Sequence, residues 1–171
     1  MMKLKNSNFF SNLILSRAPS AKAEMMGGPL APKINGTVSF YAAHSGTLVV
    51  AEIYNLPQIA PGTEKTPPIG PFGFHIHEGS TCDVGNSEDP FQSAMGHYNP
   101  TGQPHPLHAG DMPVLFSNSN GYAFLAFFTD RFTPRQVLNK TVIIHQSPDD
   151  FRTQPAGSAG KRLACGLIRS I

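Results

Sequence analysis

"KINGTVSFYAAHSGTLVVAEIYNL", residues 33–56, decides the fold. Both halves are rich in β-branched and aromatic residues, which suit a pleated, half-buried surface. Between them "HSG" (residues 44–46) forms a tight connector, so the stretch reads as two strands joined by a hairpin turn. The same texture recurs in "FGFHIH" (72–77), "DMPVLFS" (111–117), "GYAFLAFFTD" (121–130), "TVIIHQ" (141–146) and "RLACGLIRSI" (162–171). "NSN" (118–120) signals another hairpin, and "RFTPRQVLNK" (131–140) holds at most a helical turn. About eight short strands with no convincing long helix argue for an all-β sandwich or closed barrel.

Composition agrees. Charged residues make up 14% of the chain, and glycine and proline number sixteen each, which favours many turns over long surface helices. At 171 residues the chain suits one domain. We place that domain at residues 33–171. Residues 1–32 read as a tail, either disordered or weakly signal-like: early lysines and a short apolar patch precede "AKA" (21–23), a cleavage-like spacing. A net charge of +2 is too small to suggest nucleic acid. No apolar stretch approaches the ~20 residues of a membrane-spanning helix. Two cysteines allow one disulfide and exclude a four-cysteine zinc cage.

The chemistry lies in the histidines. Side chains alternate across a strand, so His75 and His77 project from the same face of "FGFHIH", as two imidazoles suited to copper or zinc. "GHYNPTGQPHPLHAGD" (96–111) then supplies His97, His105, His108 and Asp111, a donor set able to complete a tetrahedral zinc site. Turn-forming residues between them let the chain fold around one ion. His145 ends "TVIIH", where a core histidine bonded to backbone is the ordinary alternative. His44 sits at the first hairpin turn and is assigned no role.

Taken in order, "GFHIHE", "GHYNP", the loop with three histidines and an aspartate, "VIIH", "PDD" and "AGKRLACGLI" resemble the copper-zinc superoxide dismutase family over residues 33–171. The long Cys82–His97 loop and the short His105–His108 segment look like the bacterial branch. The resemblance implies an eight-stranded Greek-key barrel or sandwich of immunoglobulin-like type with long functional loops. It implies copper held by His75, His77, His97 and His145, and zinc held by His97, His105, His108 and Asp111, with His97 bridging the two. Asp149 matches the aspartate that orients one histidine of each metal, although adjacent Asp150 could take that place. Cys82 and Cys165 match the family disulfide, and closing so long a loop contributes ~4 kcal/mol in a chain-entropy model. Arg162 matches the arginine that attracts anionic superoxide, with Lys161 and Arg152 as further candidates. The loop "DDFRTQPAGSAG" (149–160) departs from the animal pattern: it is shorter and lacks the lysine and glutamates expected there. The rival readings are a non-enzymatic copper/zinc protein, chaperone-like or a metal buffer, and a zinc hydrolase with an open coordination position. A homodimer is expected from the family. The compartment follows the N-terminus: oxidising and extracytoplasmic if the segment is a signal, cytoplasmic otherwise.

Overall fold

The structure is a computed structural model, and it describes residues 18–171. Residues 1–17, which hold most of the signal-like features, lie outside the described part. Seven antiparallel strands form one sheet: β1 Ala21–Gly27, β2 Asn35–Ala43, β3 Gly46–Tyr54, β4 Phe74–His77, β5 Ala123–Thr129, β6 Thr141–His145 and β7 Arg162–Ser170. Their spatial order is β4-β6-β7-β1-β2-β3-β5, and the sheet curls into an open half-barrel around one core. The 33–56 hairpin forms as expected, with β2 and β3 in continuous register from Asn35↔Tyr54 to Ala43↔Gly46.

Two long connections give the Greek-key character. Residues 55–73 carry the chain from β3, near one end of the sheet, to β4 at the other. Residues 78–122 bring it back from β4 to β5, beside β3. The second connection holds His97, His105, His108 and Asp111, so topology alone returns these residues past the strand that presents His75 and His77.

Two expectations need correction. The stretch assigned to a tail contains β1, which pairs with β2 on one side and β7 on the other. "AKA" therefore begins a strand in the folded domain. Ala21, Ala23 and Met25 are fully or nearly fully buried, while Lys22 and Glu24 face outward. The small-x-small spacing reflects the two-residue period of a strand packed tightly against the core. The domain accordingly begins before residue 33. The strand count is seven among the described residues against about eight expected: β1 is gained, while "DMPVLFS" makes only the isolated bridges His75↔Asp111 and Phe72↔Leu115. Pro113 has no amide to donate and Asp111 is drawn into the histidine cluster, so no regular ladder develops there. The "NSN" turn does form: Asn118 Oδ1 accepts from the amides of Asn120 and Tyr122. The helical turn in residues 131–140 is a short 3₁₀ helix, Pro134–Val137, capped by Thr133 and Gln136.

Opposite faces of β4 and β6 do different work. Phe74 and Ile76 on β4 join Val142 and Ile144 on β6 in the main core with Phe40, Phe72 and Leu115. On the other face Ile143 packs with Cys165, Phe91 and Ala94 in a second cluster, beside the Cys82–Cys165 disulfide. His75, His77 and His145 project from that side, and a bulge between Ile144 and His145 re-aims the last of them.

Because β1 lies between β2 and β7, a chain starting at Lys33 should unfold at a temperature lower by roughly 6–20 °C than one starting at Ala18, since loss of a packed strand at ~3–5 kcal/mol of buried apolar surface converts at about 2–4 °C per kcal/mol. Far-UV circular dichroism measures this; equal melting temperatures would mean that β1 contributes nothing to the domain.

Candidate metal centre

Three segments are tied together by backbone alone. The Ile76 amide donates to the Gly110 carbonyl (2.9 Å), the Gly110 amide to the Tyr98 carbonyl (2.9 Å), and the Tyr98 amide to the Ile76 carbonyl (2.8 Å). This closed ring of hydrogen bonds fixes β4 against both arms of the 78–122 connection. Gly110 is required there, because a Cβ would lie 2.3 Å from the Ile76 carbonyl oxygen. The ring sets His75 and His77, His97, and then His108 and Asp111 side by side.

Two groups of donors result. His75, His77, His97 and His145 form one; His97, His105, His108 and Asp111 form the other, with donor atoms in each group within 4.8 Å of one another. His97 belongs to both. Its Nδ1 lies 2.7 Å from Asp111 Oδ1 in the second group, and its Nε2 is buried without a partner on the side of the first. The sequence thus brings together all seven side chains singled out, and none falls elsewhere.

The hydrogen-bond directions test whether cations fit. His77 Nδ1 lies 2.8 Å from the Met95 carbonyl, and His145 Nδ1 lies 3.1 Å from the Gly160 carbonyl. A carbonyl only accepts, so both Nδ1 atoms carry the proton and both Nε2 atoms present lone pairs. Those two Nε2 atoms face each other at 3.1 Å, an arrangement that repels unless a cation joins them. His75 donates from Nε2 to Asp149 Oδ2 (2.7 Å), which leaves its Nδ1 as a buried, unpaired acceptor. In the second group His105 donates from Nε2 to Asp149 Oδ1 (2.9 Å), so its Nδ1 lone pair faces Asp111 Oδ2 at 3.1 Å, again acceptor against acceptor. The spacings 2.7, 3.1, 3.4 and 3.5 Å among this second set bracket the ~3.3 Å expected between donors that each sit ~2.0–2.1 Å from one tetrahedral zinc. The all-imidazole first group suits copper.

Asp149, not Asp150, is the residue that joins the two groups. Its side chain is fully buried and holds a histidine of each. Asp150 instead caps its own turn, accepting from the amides of Arg152 and Thr153 and from the Thr153 hydroxyl. These bonds hold its carboxyl down at about 2, a local effect on an exposed group. Burial works to raise the Asp111 carboxyl, but its hydrogen bond from His97 and the surrounding imidazoles outweigh that and leave it below the usual range. Burial also lowers His75, His77 and His108, and brings His145 down to about 3.

Several supports lie outside what the sequence reveals. Gln154 clamps the His105 backbone, its Oε1 accepting from the amide (3.0 Å) and its Nε2 donating to the carbonyl (2.6 Å). Arg131 donates to the carbonyls of Pro106 and His108. Gly157 leaves room for Asp149, whose Oδ1 would lie 1.9 Å from an added Cβ. No motif marks such residues, since their partners are main-chain atoms or empty volume.

Above the first group opens a basin of about 730 Å³, lined by His77, His97, His145, Met95, Asp89 and Arg162 among others. Arg162, opposite His145 across the β6–β7 ladder, donates to the Phe91 and Met95 carbonyls. The Met95 carbonyl therefore serves Arg162 and His77 together. The Cys82–Cys165 disulfide, with Cα atoms 5.7 Å apart, fastens this loop to β7. Lys161 and Arg152 do not line the basin; Lys161 Nζ donates to the Glu88 carbonyl. His44 is exposed at its turn, away from both groups.

Comparison with known proteins adds to this geometry. Residues 34–168 match the family model described as copper/zinc superoxide dismutase. The chain is 31% identical over 169 residues to a superoxide dismutase [Cu-Zn] of Deinococcus radiodurans, covering 90% of this chain and 86% of that one. It is 34% identical over 145 residues to the superoxide dismutase [Cu-Zn] of Legionella pneumophila, covering 81% and 80%. Among solved structures, the Cu/Zn superoxide dismutase from Brucella abortus superposes with a TM-score of 0.68 at 25% identity, over 86% of this chain and 98% of that one.

The lowered imidazole pKa values give the metal-free protein a signed pH dependence. At His75, His77, His108 and His145 the unfolded chain takes up protons below about pH 6.5, whereas the folded chain resists them, so stability falls as pH drops through that value. The loss is about 1.4 kcal/mol per pH unit for each imidazole charged only on unfolding. Denaturant melts of chelator-stripped protein between pH 7.5 and 5 measure it; a stability independent of pH over that range would contradict the burial of these rings.

Proposed function

This chain belongs to the copper/zinc superoxide dismutase family, and from that membership we propose how its metal-facing side chains divide their work. The protein is an oxidoreductase that disproportionates superoxide to oxygen and hydrogen peroxide, with copper and zinc as cofactors. We assign copper to His75, His77, His97 and His145, and zinc to His97, His105, His108 and Asp111. The observation that carries the assignment is the lone-pair pattern: His77 and His145 point Nε2 at each other, and His75 Nδ1 and His97 Nε2 are buried without partners beside them. Presence of all four imidazoles disfavours the chaperone-like or buffering alternative. The hydrolase alternative lacks a base, since the nearby Asp149 is committed to two histidines.

When bound, copper supplies the one-electron redox change and zinc the fixed positive charge that redox-inert d¹⁰ ions provide. The chain's own groups handle the anion and the protons. Arg162 uses two of its N–H groups on the Phe91 and Met95 carbonyls, which leaves the rest of the guanidinium facing the basin to receive superoxide. His97 Nε2, buried without a protein partner on the copper side, is the chain atom that would hold one of the two protons hydrogen peroxide requires whenever it is not ligating the metal, the second proton coming from solvent. Asp111, accepting from Nδ1 of the same ring, holds that imidazole in place. Asp149 fixes the protonated nitrogens of His75 and His105, so their opposite nitrogens stay available as donors.

We further propose that the protein works as a homodimer in an oxidising compartment. The disulfide supports the compartment. Edge strand β5, "AFLAFFT", supports the dimer: it has no charge and no proline, its side away from β3 has no strand neighbour among the described residues, and Phe124 and Phe128 are 57% and 45% exposed.

Metal content by mass spectrometry tests the ligand assignment: His97→Ala should lose both metals, whereas His145→Ala should lose copper and keep zinc. Normal zinc in His97→Ala would sink the shared ligand. For the assembly, light scattering on the double variant Phe124→Glu, Phe128→Glu should give half the wild-type mass; a wild type that is already monomeric, or a variant still dimeric, would remove β5 from the interface.

A further inference from the structure

The basin over the copper-side imidazoles holds one formally cationic side chain, Arg162, and one formally anionic one, Asp89. Besides the imidazoles, the other polar side chains lining it, Gln92, Asn99, Thr153, Gln154 and Ser158, are neutral. Asp89 is exposed and makes no direct ion pair among the described residues; the nearest ammonium named here, that of Lys161, is held by the neighbouring Glu88 carbonyl. It belongs to the loop that anchors Arg162: its backbone amide is tied to Asn86, and two residues on, Phe91 supplies a carbonyl to the guanidinium. Its field reaches the arginine, opposing the lowering that burial imposes on Arg162. The two candidate cations that could outweigh it, Lys161 and Arg152, do not line the basin.

We propose that Asp89 sets the rate of substrate capture in this enzyme, its fixed negative charge opposing the pull of Arg162 on the incoming superoxide anion. This rests on superoxide being the substrate. An encounter-limited reaction with an anion responds to the summed charge of the entrance, and charges of one sign raise such rates by up to orders of magnitude. The bound metals attract the anion as well, but of the charged side chains lining the basin the one anion offsets the one cation, so the side chains add little to that pull. Removing one anion at the rim therefore accelerates capture, most strongly where salt screens least.

The test uses copper- and zinc-loaded wild type, Asp89→Asn, Asp89→Glu and Arg162→Ala, with metal contents verified. Pulse radiolysis gives kcat/KM for superoxide across ionic strength. Optical titration with azide gives anion affinity without turnover. Asp89→Asn should raise kcat/KM roughly two- to five-fold at low salt, steepen its decline with added salt, and tighten azide binding in parallel. Asp89→Glu should behave as wild type. Unchanged capture and azide affinity in a fully metallated Asp89→Asn overturns the proposal, and so does an equal gain in Asp89→Glu, which would trace the effect to side-chain shape. If Arg162→Ala alone changes nothing while Asp89→Asn accelerates, the Asp89 role stands and the Arg162 assignment fails. If no form consumes superoxide, the substrate assignment fails and azide affinity alone decides whether Asp89 governs anion entry.

Discussion

Three backbone hydrogen bonds carry the site: Ile76 to Gly110, Gly110 to Tyr98, Tyr98 to Ile76. Each residue comes from a different part of the chain, and each is flanked by metal-facing side chains. Because the bonds are main chain to main chain, they fix position whatever the flanking side chains do. Seven buried donors can then be aimed inward by the direction of strand and turn, and not by one another. That matters because the donors repel. Left to side-chain preferences, imidazole lone pairs 3.1 Å apart would rotate away. The rings stay because their other nitrogens are tied to Met95, Gly160 and Asp149.

The second layer is shared, so the two metal sites are not independent. Asp149 holds one imidazole of each group, and Gln154 holds the backbone of one of those imidazoles. On the other side the Met95 carbonyl serves His77 and Arg162 at once, on a loop pinned to β7 by Cys82–Cys165. A displacement of that loop would move a copper-side donor and the anion-attracting group together. The positive φ of Phe91 and Met95, 64° in each, places backbone carbonyls where ordinary strand geometry would not, and both carbonyls face Arg162.

Much of this was legible in the chain. The 33–56 hairpin announced itself by β-branched and aromatic runs, β6 by its Val-Ile-Ile run and β7 by a short apolar run, and H-x-H on a strand required His75 and His77 to share a face. What stayed hidden has physical reasons. β1 hid because two of its three inward residues are alanines, too small to show a clear apolar alternation, so "AKAEM" resembles a processing site. "DMPVLFS" misled in the other direction: its apolar content is strand-like, but Pro113 and the pull on Asp111 prevent a ladder. The choice between Asp149 and Asp150 turned on which carboxylate is buried, a property that neighbouring identical residues cannot reveal. Gln154, Arg131 and Gly157 were invisible because they act on carbonyls, amides and empty space, none of which has a letter in the sequence.

The lowered imidazole pKa values connect stability to chemistry. Burial keeps these rings neutral well below the usual histidine range. At neutral pH they are therefore already deprotonated, and a cation entering the copper-side group displaces few protons. The folded chain has taken several polar rings out of water and set their lone pairs against each other, which costs stability in the metal-free state. A bound cation relieves that repulsion where it is concentrated. Metal affinity and fold stability are thus two readings of one free energy, stored by the main core around Phe40, Phe72 and Phe74 and released at the imidazoles. The same logic explains why the histidines sit on the face of β4 and β6 opposite that core: the apolar face supplies the rigidity, and the polar face uses it.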